Sequence, residues 1–90
     1  SPNYGKSRDT ERLFRRLFEI VRDRDDGSGV LLQTISRNAT GTGTNSKQRI
    51  EILAELVERH VLKTEGGRFM VDSPPPGWDA TPKRRRTEKG

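Results

Sequence analysis

The fold of this chain is decided by one stretch of its sequence, Leu56-Val57-Glu58-Arg59-His60-Val61-Leu62-Lys63-Thr64-Glu65-Gly66-Gly67-Arg68-Phe69-Met70-Val71-Asp72. The stretch opens with a helical apolar pattern and continues as two β-prone runs, 61–64 and 68–72, around a Gly-Gly pair. Glycine readily adopts the positive φ angles of a tight hairpin turn. The stretch therefore predicts the end of a helix followed by an antiparallel hairpin of 61–64 with 68–72.

Three amphipathic helices are predicted before this hairpin, at about residues 10–24, 31–38 and 46–60. In each of them apolar residues recur at steps of three and four, so that they lie on one face. On the third helix the predicted inner face is Ile50, Leu53, Ala54, Val57 and Val61. The predicted core consists of Phe14, Leu17, Ile20, Val21, Leu31, Ile35, Ile50, Leu53, Val57, Phe69 and Val71.

Turn and capping residues separate the predicted helices. The sequence Asp25-Asp26-Gly27-Ser28-Gly29 ends the first helix, and Val30 passes briefly in extended form into the second. Thr40-Gly41-Thr42-Gly43-Thr44 is a flexible turn, and Asn45 or Ser46 caps the third helix. The fold class that follows is mainly α with a small β-hairpin.

Length and composition indicate one small domain with polar tails. The chain has 90 residues, of which 28% are hydrophobic and 34% are charged, enough apolar side chains for one small core. We expect the folded domain to span residues 9–72. Residues 1–8 and the Pro-rich, then basic, residues 73–90 are expected to be disordered.

The net charge is unevenly distributed along the chain. Of the formal charge of +5, residues 73–90 carry +3 and residues 1–72 carry only +2. Nucleic-acid binding would therefore depend on where the basic residues lie and not on the total charge.

Several classes of protein are not expected from this sequence. It has no cysteine and one histidine, which argues against disulfides, a metal site or a thiol nucleophile. No catalytic constellation is evident, so we expect neither an enzyme nor a cofactor. We see neither an apolar run long enough for a membrane span nor a signal peptide, and we expect an intracellular protein: nuclear in a eukaryote, otherwise in the cytoplasm or nucleoid.

The order helix, extended link, helix, turn, helix, hairpin resembles the winged-helix variant of the helix-turn-helix, over about residues 9–72. The run 56–62 followed by Glu65-Gly66-Gly67-Arg68-Phe69 resembles the end of its third helix and its wing. The chain also looks similar to accessory winged-helix modules of replication factors, such as minichromosome maintenance helicases and primase-helicases. The resemblance implies DNA binding in replication or transcription.

The residues between Gly27 and Ile50 contain no carboxylate but many hydrogen-bond donors. In a helix-turn-helix this stretch faces DNA, where phosphates need cationic and polar donors without competing acids. From it and from the hairpin we predict a DNA-binding set: Arg37, Thr42, Thr44, Asn45, Ser46, Lys47, Gln48, Arg49, Lys63 and Arg68. We expect limited base reading from residues 45–48, duplex DNA as partner and a monomeric domain.

Alternatives remain for several charged groups. Glu51, Glu55 and Glu58 fall on one predicted exposed face of the third helix, which suggests a protein-interaction module in place of a DNA-binding one. The same spacing also fits a solvated face in which Glu55 pairs with Arg59. The basic residues near the start of the first helix fit either a solubilising face or a secondary phosphate contact. Lys83-Arg84-Arg85-Arg86 fits a localisation signal, a nucleic-acid arm or a linker.

Overall fold

The computed structural model describes residues 8–81 as a small α+β fold of three helices and one antiparallel sheet. The elements are, in chain order, α1 (Arg8–Arg24), β1 (Val30–Leu31), α2 (Leu32–Asn38), α3 (Ser46–Glu58), β2 (Leu62–Glu65) and β3 (Arg68–Val71). A 3-10 turn, Thr40–Thr42, joins α2 to α3. The predicted helices and hairpin are confirmed. The predictions for residues 1–7 and 82–90 lie outside the described residues.

The sheet has one strand more than the sequence predicted. Its order is β1-β3-β2, so β3 pairs with the hairpin strand β2 on one side and with β1 on the other. Both glycines of the hairpin turn, Gly66 and Gly67, have positive φ angles of 59° and 79°, as a two-residue turn of this kind requires. The predicted extended link is in fact β1, where Val30 pairs with Phe69.

Glycine is required just before β1. Gly29 has a φ of 92°, and a Cβ added there would lie 2.7 Å from the Cβ of Arg68. A side chain at this position would therefore push β1 away from β3.

Helix α1 supplies the largest part of the core. Phe14, Leu17, Phe18 and Val21 are fully buried, in agreement with the three- and four-residue steps of the sequence. Burial of each such side chain stabilises the fold by roughly 1.5–3 kcal/mol before entropy is counted. The buried core is Phe14, Leu17, Phe18, Ile20, Val21, Val30, Ile35, Ala39, Ile52, Leu53, Leu56, Val61 and Leu62.

The core face of α3 differs from the predicted one. Ile52, Leu53 and Leu56 are buried, whereas Ile50 is 51% exposed and Ala54 is exposed. The prediction that Ile50 belongs to the core is therefore wrong. The helix carries two overlapping apolar stripes, and the stripe that is buried has the larger side chains, which gain more from leaving water.

Leu31 was also predicted in the core, and the structure places it 40% exposed. Side chains alternate between the two faces of a strand, and in β1 Val30 takes the inner face. Leu31 is therefore on the outer face, opposite Arg68. The remaining predicted core residues Val57, Phe69 and Val71 are half-buried against the core.

The segment 73–81, predicted as part of a disordered tail, lies against α1. The ring of Trp78 packs on that of Phe18 with 5.2 Å between centroids. Arg22, only 4% exposed, donates through Nη1 to the carbonyl oxygen of Asp79 at 2.8 Å. The packed part of the chain thus extends beyond the predicted boundary at residue 72.

A residue in the left-handed backbone conformation follows the end of α3. His60 has a φ of 64°; its amide donates to the carbonyl of Val57, and the amide of Val61 donates to that of Leu56. These two hydrogen bonds form a Schellman motif, which turns the chain sharply out of the helix. His60 is therefore exposed at a turn, and Val61 and Leu62 enter the core directly after it.

Candidate nucleic-acid interface

The first turn of α3 is closed by a capping box. The Asn45 side-chain oxygen accepts a hydrogen bond from the Gln48 amide at 2.8 Å, and the Gln48 side chain accepts one from the Asn45 amide at 3.0 Å. Each side chain satisfies a backbone donor that the helix leaves unpaired. Two of the four residues predicted to read bases are thus occupied in capping their own helix.

Arg49 is occupied in a similar way. Its Nη2 and Nε donate to the carbonyl oxygen and the hydroxyl of Thr44, at 2.6 and 3.0 Å. The Thr44 hydroxyl lies 2.8 Å from that of Thr42, which donates to the carbonyl of Ala39 at 2.6 Å. Thr44 is buried and Arg49 half-buried. These three predicted DNA-binding residues therefore fix the turn between α2 and α3.

Besides Asn45, three of the predicted residues around this turn are exposed. Lys47 and Ser46 are exposed in the first turn of α3, and Arg37 is exposed in the last turn of α2. Within residues 10–81, none of these three side chains forms a hydrogen bond or ion pair with any other residue. The two charges therefore flank the 40–45 turn with their hydrogen-bonding capacity available to a ligand.

The hairpin contributes two further cations. Lys63 is exposed and Arg68 is half-buried, and both lie on the sheet face opposite to Phe69. Arg68 stands directly across from Glu65, whose charge offsets part of its own. Of the two, Lys63 is the more available to an external anion.

A groove of about 310 Å³ runs along the exposed side of α3. It is lined by Leu32, Ile50, Leu53, Ala54, Val57, Thr64 and Phe69. Apart from the threonine these side chains are apolar, and they come from two helices and the hairpin. The prediction that Ile50, Ala54 and Val57 share one face of α3 is correct, but the prediction that this face belongs to the core is wrong at Ile50 and Ala54, which are exposed.

The predicted acidic face of α3 does not form the open side of the helix. Glu51 and Glu55 are half-buried, and only Glu58 is exposed. Glu55 accepts from Arg59 at 3.1 Å, which confirms the pairing that the four-residue spacing predicted. A protein partner that approaches the open side would therefore meet apolar side chains and not an acidic stripe.

The charges of the described part of the chain balance. Residues 10–81 contain eleven basic and eleven acidic side chains. On α1, Arg15 and Arg16 both lie against Glu19, at 3.4 and 3.3 Å. Attraction of a polyanion must therefore be local, and residues 28–49, which include the α2–α3 turn, contain cations but no carboxylate.

Comparison of the chain with protein-family models, with curated protein sequences and with solved structures gives no significant match. Within residues 8–81 no helix has both the length and the apolar character to cross a membrane. The same residues hold no group of three or more metal-ligating side chains.

Proposed function

We propose that this domain is a winged helix-turn-helix that binds duplex DNA through phosphate contacts. The order of its elements and the pairing of β1 with β3 support that fold. The observation that carries the function is the pair of exposed, uncommitted cations, Lys47 and Arg37, on either side of a turn with no carboxylate between Gly27 and Ile50. Phosphate oxygens are attracted to such a surface, and the positive end of α3 adds to the attraction.

The proposed binding is weakly selective for sequence. Base reading needs polar side chains that are free to reach base edges in the major groove. On α3, Asn45 and Gln48 are already engaged in the capping box, and the next open position is Ile50. Only Ser46 and Lys47 remain for such contacts, so the affinity comes mainly from charge and falls steeply with salt.

The proposal is tested by titrating a labelled 15-base-pair duplex with the domain by fluorescence anisotropy at several salt concentrations from about 50 mM, where phosphate contacts are strong. Replacing both cations, in Lys47→Ala/Arg37→Ala, removes two phosphate contacts. We expect the slope of log affinity against log salt to fall by roughly 2, since each contact contributes about 0.9.

The matched control is Arg12→Ala, which removes one exposed cation from α1, away from the turn. We expect its affinity to stay within about twofold of the parent. An equal loss per charge in both variants would show that the turn is not the binding surface. No binding by the parent at about 50 mM salt would refute the function as a whole.

Protein binding is the second candidate function, and the open groove favours it. Contiguous apolar surface bordered by polar residues marks many protein-interaction sites. The contact would be made by Ile50, Ala54 and Val57 and not by the glutamates of α3. A sequence-neutral DNA surface does not need these three side chains.

A further inference from the structure

We propose that the exposed apolar face of α3 is an interface between two copies of this chain. Ile50, Ala54 and Val57 follow one another at steps of four and three along the helix, which makes one straight stripe. Ile50 is 51% exposed although Ile52, two residues on, is fully buried. Helices that present such a stripe to each other exclude water from both.

The charges at the two ends of the stripe favour a second copy as its occupant. Lys47 lies one turn before Ile50, Glu58 follows Val57, and both side chains are exposed. Lys47 and Glu58 are equally distant along the helix from the point midway between Ile52 and Leu53. In a two-fold antiparallel pairing about that midpoint, Lys47 of each copy therefore stands opposite Glu58 of the other, and both ion pairs form at once.

The sizes of the apolar side chains fit the same pairing. Ile50 lies two and a half residues before the midpoint and Ala54 one and a half residues after it, so along the helix Ile50 of one copy is offset by a single residue from Ala54 of the other. The small residue lets the helices approach, and the groove beside it, bounded by Leu32 and Phe69, has room for the opposing isoleucine. A stripe with charges of one sign at both ends, or with large residues at every position, would not complement itself in this way.

The dimer is expected to be weak. A stable interface buries about 800 Å² on each partner, more than one short helix face supplies, so we expect a dissociation constant on the order of 0.1 mM. The monomer predicted from the sequence is then the form present in dilute solution, and the dimer forms as concentration rises.

Analytical ultracentrifugation from about 10 μM to about 1 mM measures this directly. We expect the average mass to rise toward twice that of the chain. Ile50→Glu places a charge in the centre of the interface and should weaken the dimer by at least about tenfold. Leu31→Glu is the matched control, because Leu31 is 40% exposed on a different surface, and it should leave self-association unchanged.

A charge exchange makes the test specific to the antiparallel arrangement. Lys47→Glu and Glu58→Lys each place like charges opposite each other at two symmetric positions and should weaken the dimer on the order of tenfold. The double variant restores opposite charges and should restore dimerisation. Failure of the double variant to recover, or a monomer at about 1 mM in the parent, would overturn the proposal.

The outcome is independent of the proposed DNA binding. Affinity for DNA is measured at about 1 μM protein, where the domain is monomeric, and self-association is measured without DNA. A domain that dimerises but ignores DNA, or the reverse, therefore separates the two proposals.

Discussion

Arg22 is buried although its side chain is charged, and Ile50 is exposed although its side chain is apolar. The charged side chain on α1 is 4% exposed, whereas the apolar side chain on α3 is 51% exposed. Charged groups are rarely buried without partners, and large apolar side chains are usually covered. The two exceptions lie in different regions and have different explanations.

Contacts within the fold account for the first exception. The Arg22 guanidinium donates to both carboxylate oxygens of Asp23, at 2.8 and 3.2 Å, and to the carbonyl of Asp79. The hydrogen bond to Asp23 raises the pKa of Arg22, so its charge is secure at any physiological pH. No comparable contact within residues 10–81 explains why Ile50 is left in water. The buried charge is thus satisfied within the fold, whereas the described residues leave the apolar face of α3 uncovered.

Apart from the controls, the largest effect is expected from Arg22→Met. The variant keeps the aliphatic volume but removes the guanidinium hydrogen bonds to the Asp79 carbonyl and to the Asp23 carboxylate. We expect the free energy of unfolding in urea to fall by about 2–3 kcal/mol, less than for a fully buried pair because Asp23 is partly exposed. Arg15→Met, which removes an exposed partner of Glu19, should cost less than about 0.5 kcal/mol. Equal losses would mean that the buried charge has no special role.

Trp78→Ala tests how the C-terminal segment packs against the same region of α1. The change removes the aromatic contact with Phe18, and we expect a loss of about 2 kcal/mol from area and ring packing together. Trp78→Phe keeps a ring at this position and should recover about half. Because Trp78 is the single tryptophan of the chain, its fluorescence in the parent should shift to the red as the segment unfolds. A spectrum typical of exposed tryptophan before unfolding would contradict the packing.

Asn45→Ala distinguishes a structural from a DNA-reading side chain near the proposed interface. Loss of the cap should cost about 1 kcal/mol of stability, and Asn45→Ser, which also caps, should restore most of it. The affinity for duplex DNA should change by less than about twofold in both variants. A tenfold loss of DNA affinity in a folded Asn45→Ser variant would show that the amide reads bases.

Ile50→Ser should have the smallest effect on the monomer. At low concentration we expect a change in unfolding free energy within about 0.5 kcal/mol, because half of the side chain is already in water. The matched change Ile52→Ser, at a fully buried position of the same helix, should cost about 3 kcal/mol. If both cost the same, Ile50 belongs to the core and the comparison with Arg22 no longer holds.

The sequence was sufficient to predict the three helices and the hairpin, but neither the rotation of α3 nor the strand β1. Helices and hairpin followed from spacing and from Gly66-Gly67, since these signals are local. Ile50 and Ile52 are both apolar, however, and only contacts with α1 and the sheet decide which of them is buried. The pairing of β1 depends in the same way on a partner almost forty residues away along the chain.

At the candidate site, residue types predicted that Lys47 is exposed, but they did not predict which side chains form hydrogen bonds within the fold. The carboxylate-free stretch and the exposure of Lys47 were readable from residue types. That Arg49 clamps Thr44, or that Asn45 and Gln48 cap each other, depends on side-chain geometry, because the same polar residues serve equally as caps, turn formers or ligand contacts. Arg22 gave no sequence signal, since Asp79 is distant from it along the chain.

The two-residue strand β1 also limits how the hairpin moves. It continues directly into α2 and pairs with β3 at Phe69 and Arg68, so the hairpin is tethered close to its Gly-Gly turn to a helix of the core. Swinging it as a flap would break the Val30–Phe69 pairing and pull on α2. The amide hydrogens of β3 should therefore exchange with deuterium as slowly as those of the core helices, while the glycines at the tip exchange freely. The hairpin would thus approach any ligand as a rigid arm and not as a loop that closes over it.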